Sequence, residues 1–165
     1  MTLRNRLYMA FGAVLFMVLV MFAVNWRAVS REHDAKTGAR NSRDLNDATA
    51  AVRSQTMLNR LYLSNYLLSG DTREVDHMNE GIRHLNDKLE KTQALATSEQ
   101  EKGLLEKVQQ FEQNWAKEFA QPLVDKRKDV DSGNATVAEL QIFYLQKDAS
   151  SWVRNTTEVL DALDK

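Results

Sequence analysis

Apolar side chains are distributed along this chain in two different ways. From Leu7 to Val24 the run LYMAFGAVLFMVLVMFAV extends for 18 residues without a charged or strongly polar group. At a rise of 1.5 Å per residue this is about 27 Å of helix, near the hydrocarbon thickness of a bilayer. Beyond it the apolar residues recur at alternating intervals of three and four, as in amphipathic helices that bury a narrow stripe.

Four such stretches follow. In residues 28–68, which contain no proline and only Gly38, a small or apolar seam runs through Ala35, Gly38, Ser42, Leu45, Thr49, Val52, Thr56, Leu63 and Tyr66, interrupted by Asn59. Leu68-Ser69-Gly70-Asp71 ends this helix, because glycine tolerates the left-handed backbone of a helix stop. Val75, Met78, Ile82, Leu85, Leu89 and Thr92 mark a second helix, and Ser98-Glu99-Gln100-Glu101 reads as a capping box that opens a third. The third carries Leu104, Val108, Phe111, Trp115, Phe119 and Leu123, with Pro122 expected to kink or stop it. After the turn Asp131-Ser132-Gly133-Asn134, a second capping box at Thr136-Val137-Ala138-Glu139 opens a fourth helix through Ile142, Leu145, Ala149, Trp152, Thr156, Val159 and Leu163.

The expected fold is therefore all-α, with one N-terminal transmembrane helix continuing into an up-down-up-down four-helix bundle. Residues 1–6 form the cytoplasmic N-terminus, 7–26 the transmembrane helix and 27–165 the extracytoplasmic bundle. Arg4 and Arg6 supply the short cytoplasmic flank, and Tyr8 and Trp26 bracket the apolar run at interfacial depth. Arg27 and Arg31 reduce the charge asymmetry, although Glu32 and Asp34 follow at once. A cleaved signal peptide is the competing reading, with Ala28-Val29-Ser30 a poor cleavage site; its apolar core would be shorter than this run. The fourth helix heads back toward the membrane and would reach it about 15–20 residues past Lys165 at helical rise. The chain is accordingly expected to be a fragment of a longer protein with a second membrane helix.

Composition narrows the function classes. Six glycines and one proline are too few for a many-stranded β domain, and the absence of cysteine excludes disulfides and thiolate metal sites. The formal net charge is -1; setting aside Arg4, Arg6 and Arg27 leaves 19 basic against 23 acidic residues. That balance points away from a nucleic-acid partner.

No catalytic constellation emerges, and no enzyme activity or cofactor is expected. Glu74-Val75-Asp76-His77 has the E-x-x-H spacing of di-iron bundles but occurs once, and His77 and His84 share a solvated face without a third ligand. Asn134 and Asn155 begin glycosylation-type sequons, and Lys126-Arg127-Lys128 reads as a charged helix end. Two other groups stand out. Trp115 and Trp152 lie equally far from the turn near Gly133, so they should meet at one level of the core, beside Arg60 or Tyr62. These four could line a pocket for a small ligand, the arginine reading an anion; two tryptophans filling core space is the plainer reading. The small seam at Ala35, Gly38, Ser42 and Leu45 could bring two copies together as a parallel homodimer, or could face the fourth helix.

The segment from Arg60 to Val130 resembles the CHASE3 family of extracellular sensory domains. Tyr66-Leu67-Leu68-Ser69-Gly70-Asp71 is similar to that family's Y-L-L-T-G-D. The Leu95-Ala96 to Ser98 break and the run Asp125-Lys126-Arg127-Lys128 after Pro122 support it, whereas Ser64-Asn65 stands where the family often has Arg-Gly. The four-helix ligand domains of methyl-accepting chemotaxis proteins are similar in architecture. Either resemblance implies the sensory input region of a bacterial signal transducer in the cytoplasmic membrane. Its partners would be the lipid bilayer, a second copy, a small-molecule or protein ligand, and cytoplasmic signalling domains such as a histidine kinase. A membrane-tethered structural or adhesion bundle without signalling is the alternative.

Overall fold

The computed structural model describes Met21 and residues 40–163. The chain divides into two compact units, Met1–Arg43 and Asp44–Lys165. In the first unit the described residues, Met21 and 40–43, are helical. The expected transmembrane helix 7–26 falls outside the described residues apart from Met21, as do Ala35 and Gly38; among the described residues no helix is long and apolar enough to cross a membrane.

The second unit is all-α. Helix α1 covers 44–69, α2 Thr72–Leu95, α3 Glu99–Asn114, α4 Gln121–Asp131, α5 Val137–Gln146 and α6 Ala149–Leu163, with a π-helical turn, Trp115–Ala120, joining α3 to α4. The inward face of α1 is the seam read from sequence: Leu45, Thr49, Val52, Thr56, Leu63 and Tyr66 are all buried, and so is the interrupting Asn59. Gly70 (φ +73) makes the helix stop and Asp71 caps α2, its carboxylate accepting from the Arg73 backbone N–H at 3.0 Å. Helix α2 packs back along α1, with Gly81 against Gln55 and Asn59. Both predicted capping boxes form, at Ser98/Glu101 and Thr136/Glu139.

Two expectations change. Pro122 does not stop the third helix. It falls in the first turn of α4, where its missing N–H matters least, and the π turn ahead of it absorbs the irregularity. The fourth helix is not continuous: it breaks at Lys147-Asp148, where Asp148 adopts φ 45 and its carboxylate accepts from the hydroxyls of Ser150 and Ser151. The break rotates α5 away from the predicted stripe. Leu140 is buried instead, while Ile142 and Leu145 are exposed. On α6, Thr156, Leu160 and Leu163 are buried as the 3-4 spacing requires.

Two apolar clusters fill the core. One joins Leu63, Tyr66, Met78, Trp115, Phe119 and Leu123 with neighbours on α4 and α5. The other joins Val52, Leu85, Leu89, Leu105, Val108 and Leu160. Between them lie the buried polar residues Gln55, Thr56, Asn59, Glu112 and Thr156.

Candidate functional site: a buried polar layer

Along α1 the two clusters are separated by Gln55, Thr56, Asn59 and Arg60, one helical turn of polar residues where the seam should be apolar. Arg60 reaches across the core to Glu112 of α3 with a two-pronged contact: Nη1 donates to Oε2 at 3.2 Å and Nη2 to Oε1 at 2.8 Å. The planar guanidinium suits this geometry, which a lysine could not reproduce. Glu112 is buried and the Arg60 side chain is only 16% exposed. Thr156 of α6 completes the group, its hydroxyl donating to Glu112 Oε1 at 2.9 Å. Arg60 also donates to the Thr56 carbonyl at 3.1 Å, and its guanidinium lies 5.0 Å above the Trp115 ring. Three helices are thus tied together by one charge pair and one hydroxyl.

A second polar group faces α2. Gln55 Nε2 donates to Asn59 Oδ1 at 3.2 Å, and Lys88 of α2 donates to Gln55 Oε1 at 3.0 Å. Asn59 has no exposed surface. It fits because residue 81 is glycine: a Cβ there would overlap Asn59 Oδ1 and stand 3.0 Å from Gln55 Nε2. The fit is incomplete, since Asn59 Nδ2, Thr56 Oγ1 and Arg60 Nε are buried with no hydrogen-bond partner. A buried unsatisfied donor costs free energy, so this layer offsets part of the stability its ion pair and hydrogen bonds contribute.

The four residues expected to line a ligand pocket are placed as follows. Arg60 and Trp115 do meet, but the guanidinium is occupied by Glu112 and Thr156. Trp115 and Trp152 share a cluster through Phe119, whose ring lies 6.4 Å and 6.3 Å from theirs. Tyr62 turns toward α2, its ring 5.4 Å from that of His77. Of the expected dimer seam, Ser42 is exposed and Leu45 is buried within its own unit. An open groove of about 530 Å³ lies elsewhere, between the end of α1 (Ser64, Leu67, Leu68) and α5 (Leu140, Tyr144, Leu145).

Glu112, Gln55 and Gly81 carry much of the layer, and the apolar spacing does not single them out. Two of them have a signal in the sequence: Gly81 sits inside a strong amphipathic helix, and Glu112 falls four residues from Val108 and three from Trp115, on the buried stripe. Gln55 has none beyond its place one turn before Asn59, which breaks the seam.

The residues that carry the family resemblance also come together. Tyr66 is buried, and burial together with the Asp131 carboxylate raises the pKa of its phenol above the ordinary tyrosine value. Arg127 Nη1 bonds Asp131 Oδ1 at 3.0 Å, and its Nη2 occupies the space over Gly70, 2.5 Å from where a Cβ would sit. Glycine at 70 therefore serves both the positive φ and the close approach of Arg127. Comparison with models of protein families, with curated proteins and with solved structures finds no match to this chain.

Proposed function

We propose that this chain is the sensory input region of a bacterial transmembrane signal transducer. In this reading the apolar run 7–24 anchors it in the cytoplasmic membrane, and residues 44–163 form an extracytoplasmic up-down-up-down bundle. Its four limbs are α1, α2, α3 with α4, and α5 with α6, the last broken at Asp148. The unit passes a cue on as a displacement of α1 or α6.

The observation that carries the reading is the Arg60–Glu112–Thr156 layer. A core built only for stability would fill this level with apolar side chains, because a buried ion pair gives little net stabilisation over a well-packed hydrophobic substitute. Here the pair joins α1, the helix that follows the apolar run in sequence, to α3 and α6, and leaves several buried donors unpaired. A switching element requires two arrangements close in energy, and a layer that leaves buried donors unpaired holds its arrangement less firmly than a fully satisfied one. Tyr66, Gly70 and Arg127, which lie in the segments on which the CHASE3-type resemblance rests, pack together at the turn that ends α1.

The test is a chimera in which residues 1–165 precede the membrane helix and kinase of a reporter receptor. Arg60→Met combined with Glu112→Leu, which removes the pair without leaving a lone buried charge, should shift the kinase baseline while the protein still reaches the membrane at normal level. A baseline identical to the parent in this double variant would leave a tethered structural bundle as the better reading.

A further inference from the structure

Asp148 at positive φ does more than break the fourth limb of the bundle. It leaves α5 standing beside the last turns of α1, with the open groove of about 530 Å³ between the two helices. Leu67, Leu68, Val137, Leu140 and Leu145 line this groove. Leu140 belongs to the core, whereas Leu68 and Leu145 are 86% and 77% exposed. Exposed leucines are ordinary when scattered, but several gathered around one concave surface mark a binding site.

We propose that the groove between the end of α1 and α5 binds a small uncharged amphiphile, an aliphatic or aromatic body that carries a hydroxyl, carbonyl or amide group. As a binding site it stands on the groove alone; as the point where a cue enters, it rests on the sensory function proposed above.

Charge, polar groups and size select this occupant. No charged side chain lines the groove. From Leu61 to Ser69 the sequence has none, and from Val137 to Gln146 the only one is Glu139. Its carboxylate already accepts from the backbone N–H and the hydroxyl of Thr136. A charged ligand would give up its hydration here without gaining a counter-ion, which apolar surroundings penalise heavily.

The groove is not wholly apolar. Ser64, Gln141 and Tyr144 also line it, and their side chains form no hydrogen bond with the described residues. The Tyr144 ring meets that of Phe119 edge-on at 6.0 Å, which fixes where the phenol stands. A few polar groups set in an apolar lining are what orient a small ligand.

Size points the same way. The α5 wall, from Val137 to Leu145, is about 12 Å long at helical rise, and the α1 wall, from Ser64 to Leu68, about 6 Å. A stable protein interface buries about 800 Å² on each partner, far more than two such short walls supply. The volume instead falls within the range of small-molecule pockets, roughly 300–1,000 Å³.

Occupancy acts on a thinly held helix. Leu140 is the buried residue of α5, and Lys147 beyond its end donates to the Glu118 carbonyl of the π turn at 3.1 Å. A ligand that touches both walls adds apolar contacts to α5 and draws it toward α1. The movement turns at Asp148, directly ahead of α6.

Photolabelling with a diazirine-bearing octanol tests this on the full chain in membranes. Digestion and mass spectrometry should find adducts within residues 64–68 and 137–145. Excess octanol should abolish them, and octanoate at equal concentration should not. Adducts in the apolar run 7–24, formed by alcohol dissolved in the lipid, show that the reagent was active. Leu68→Gln with Leu145→Gln strips apolar area from both walls and should raise the half-saturating octanol concentration about tenfold. Both residues are exposed, so the thermal melt should not change; Val153→Gln, exposed on α6, should alter neither. No adduct at either wall, adducts that octanol does not displace, equal displacement by octanoate, or an unshifted double variant would overturn the proposal. Labelling needs no kinase output, so saturable adducts beside an unshifted chimera baseline keep the binding site and remove the sensory function.

Discussion

A single charge pair decides much of the core at the residue scale. Arg60 and Glu112 are both largely withdrawn from water, so removing one leaves the other without compensation. Breaking such a pair typically costs about 3–5 kcal/mol, whereas replacing both partners by apolar side chains is often neutral or better. Glu112→Gln keeps the shape and removes the charge, and should lower stability by about 3 kcal/mol on this scale. Arg60→Met with Glu112→Leu should recover most of the loss, because the two apolar clusters can then close over the gap. Urea denaturation of the three proteins in detergent measures both effects; a double variant less stable than the single one would refute the account. The bonds of Thr156 to Glu112 and of Lys88 to Gln55 determine which residues can be exchanged without leaving a new buried orphan.

At the scale of elements, helix starts carry most of the local specification. The Ser98 and Thr136 boxes each satisfy two otherwise orphaned backbone donors, and Ser98→Ala or Thr136→Ala should cost about 1 kcal/mol. Hydrogen bonds from the backbone N–H groups of Ser98 and Thr97 lower the pKa of Glu101, and the Thr136 N–H does the same for Glu139. A carboxylate whose folded pKa lies below its unfolded value stabilises the fold fully above the unfolded value, ordinarily 4.5 for glutamate. That contribution disappears as pH falls through the folded value. Stability should therefore fall below about pH 4.5, and Glu101→Gln with Glu139→Gln should fall less steeply between pH 5 and 3 by urea midpoint. The same elements show where periodicity misleads. The spacing of the fourth stripe predicts one helix, but Asp148 at positive φ turns α5 so that Leu140 faces inward and Leu145 faces out.

For the whole molecule, the central expectation is topological. With the apolar run as an anchor, Arg4 and Arg6 remain in the cytoplasm while the Gly70 turn lies outside. Cysteine introduced at Ser69, an exposed residue, should react with an impermeant thiol reagent in intact cells, and cysteine at Thr2 only after the membrane is opened. Reaction at residue 2 without reaction at residue 69 would reverse the assignment. The inward face of α1 packs the core through Val52, Asn59 and Leu63, while its outward face leaves Met57, Leu61 and Leu68 exposed.

Sequence alone determined the helical class, the inward stripes of α1 and α2, the glycine stop at Gly70 and both capping boxes. These depend on interactions within about four residues, which local spacing encodes. Which residues cross the core was decided by tertiary structure. Arg60 and Glu112 are 52 positions apart, and nothing in local periodicity distinguishes an arginine that snorkels to water from one that finds a buried carboxylate. Asn59 showed the same limit: it was visible as a flaw in an apolar seam, but only the packing of Gly81 against it shows why the flaw is kept. The outward stripe of α1 was written in the same intervals as the inward one, and only the folded core, by burying one and leaving the other bare, tells them apart.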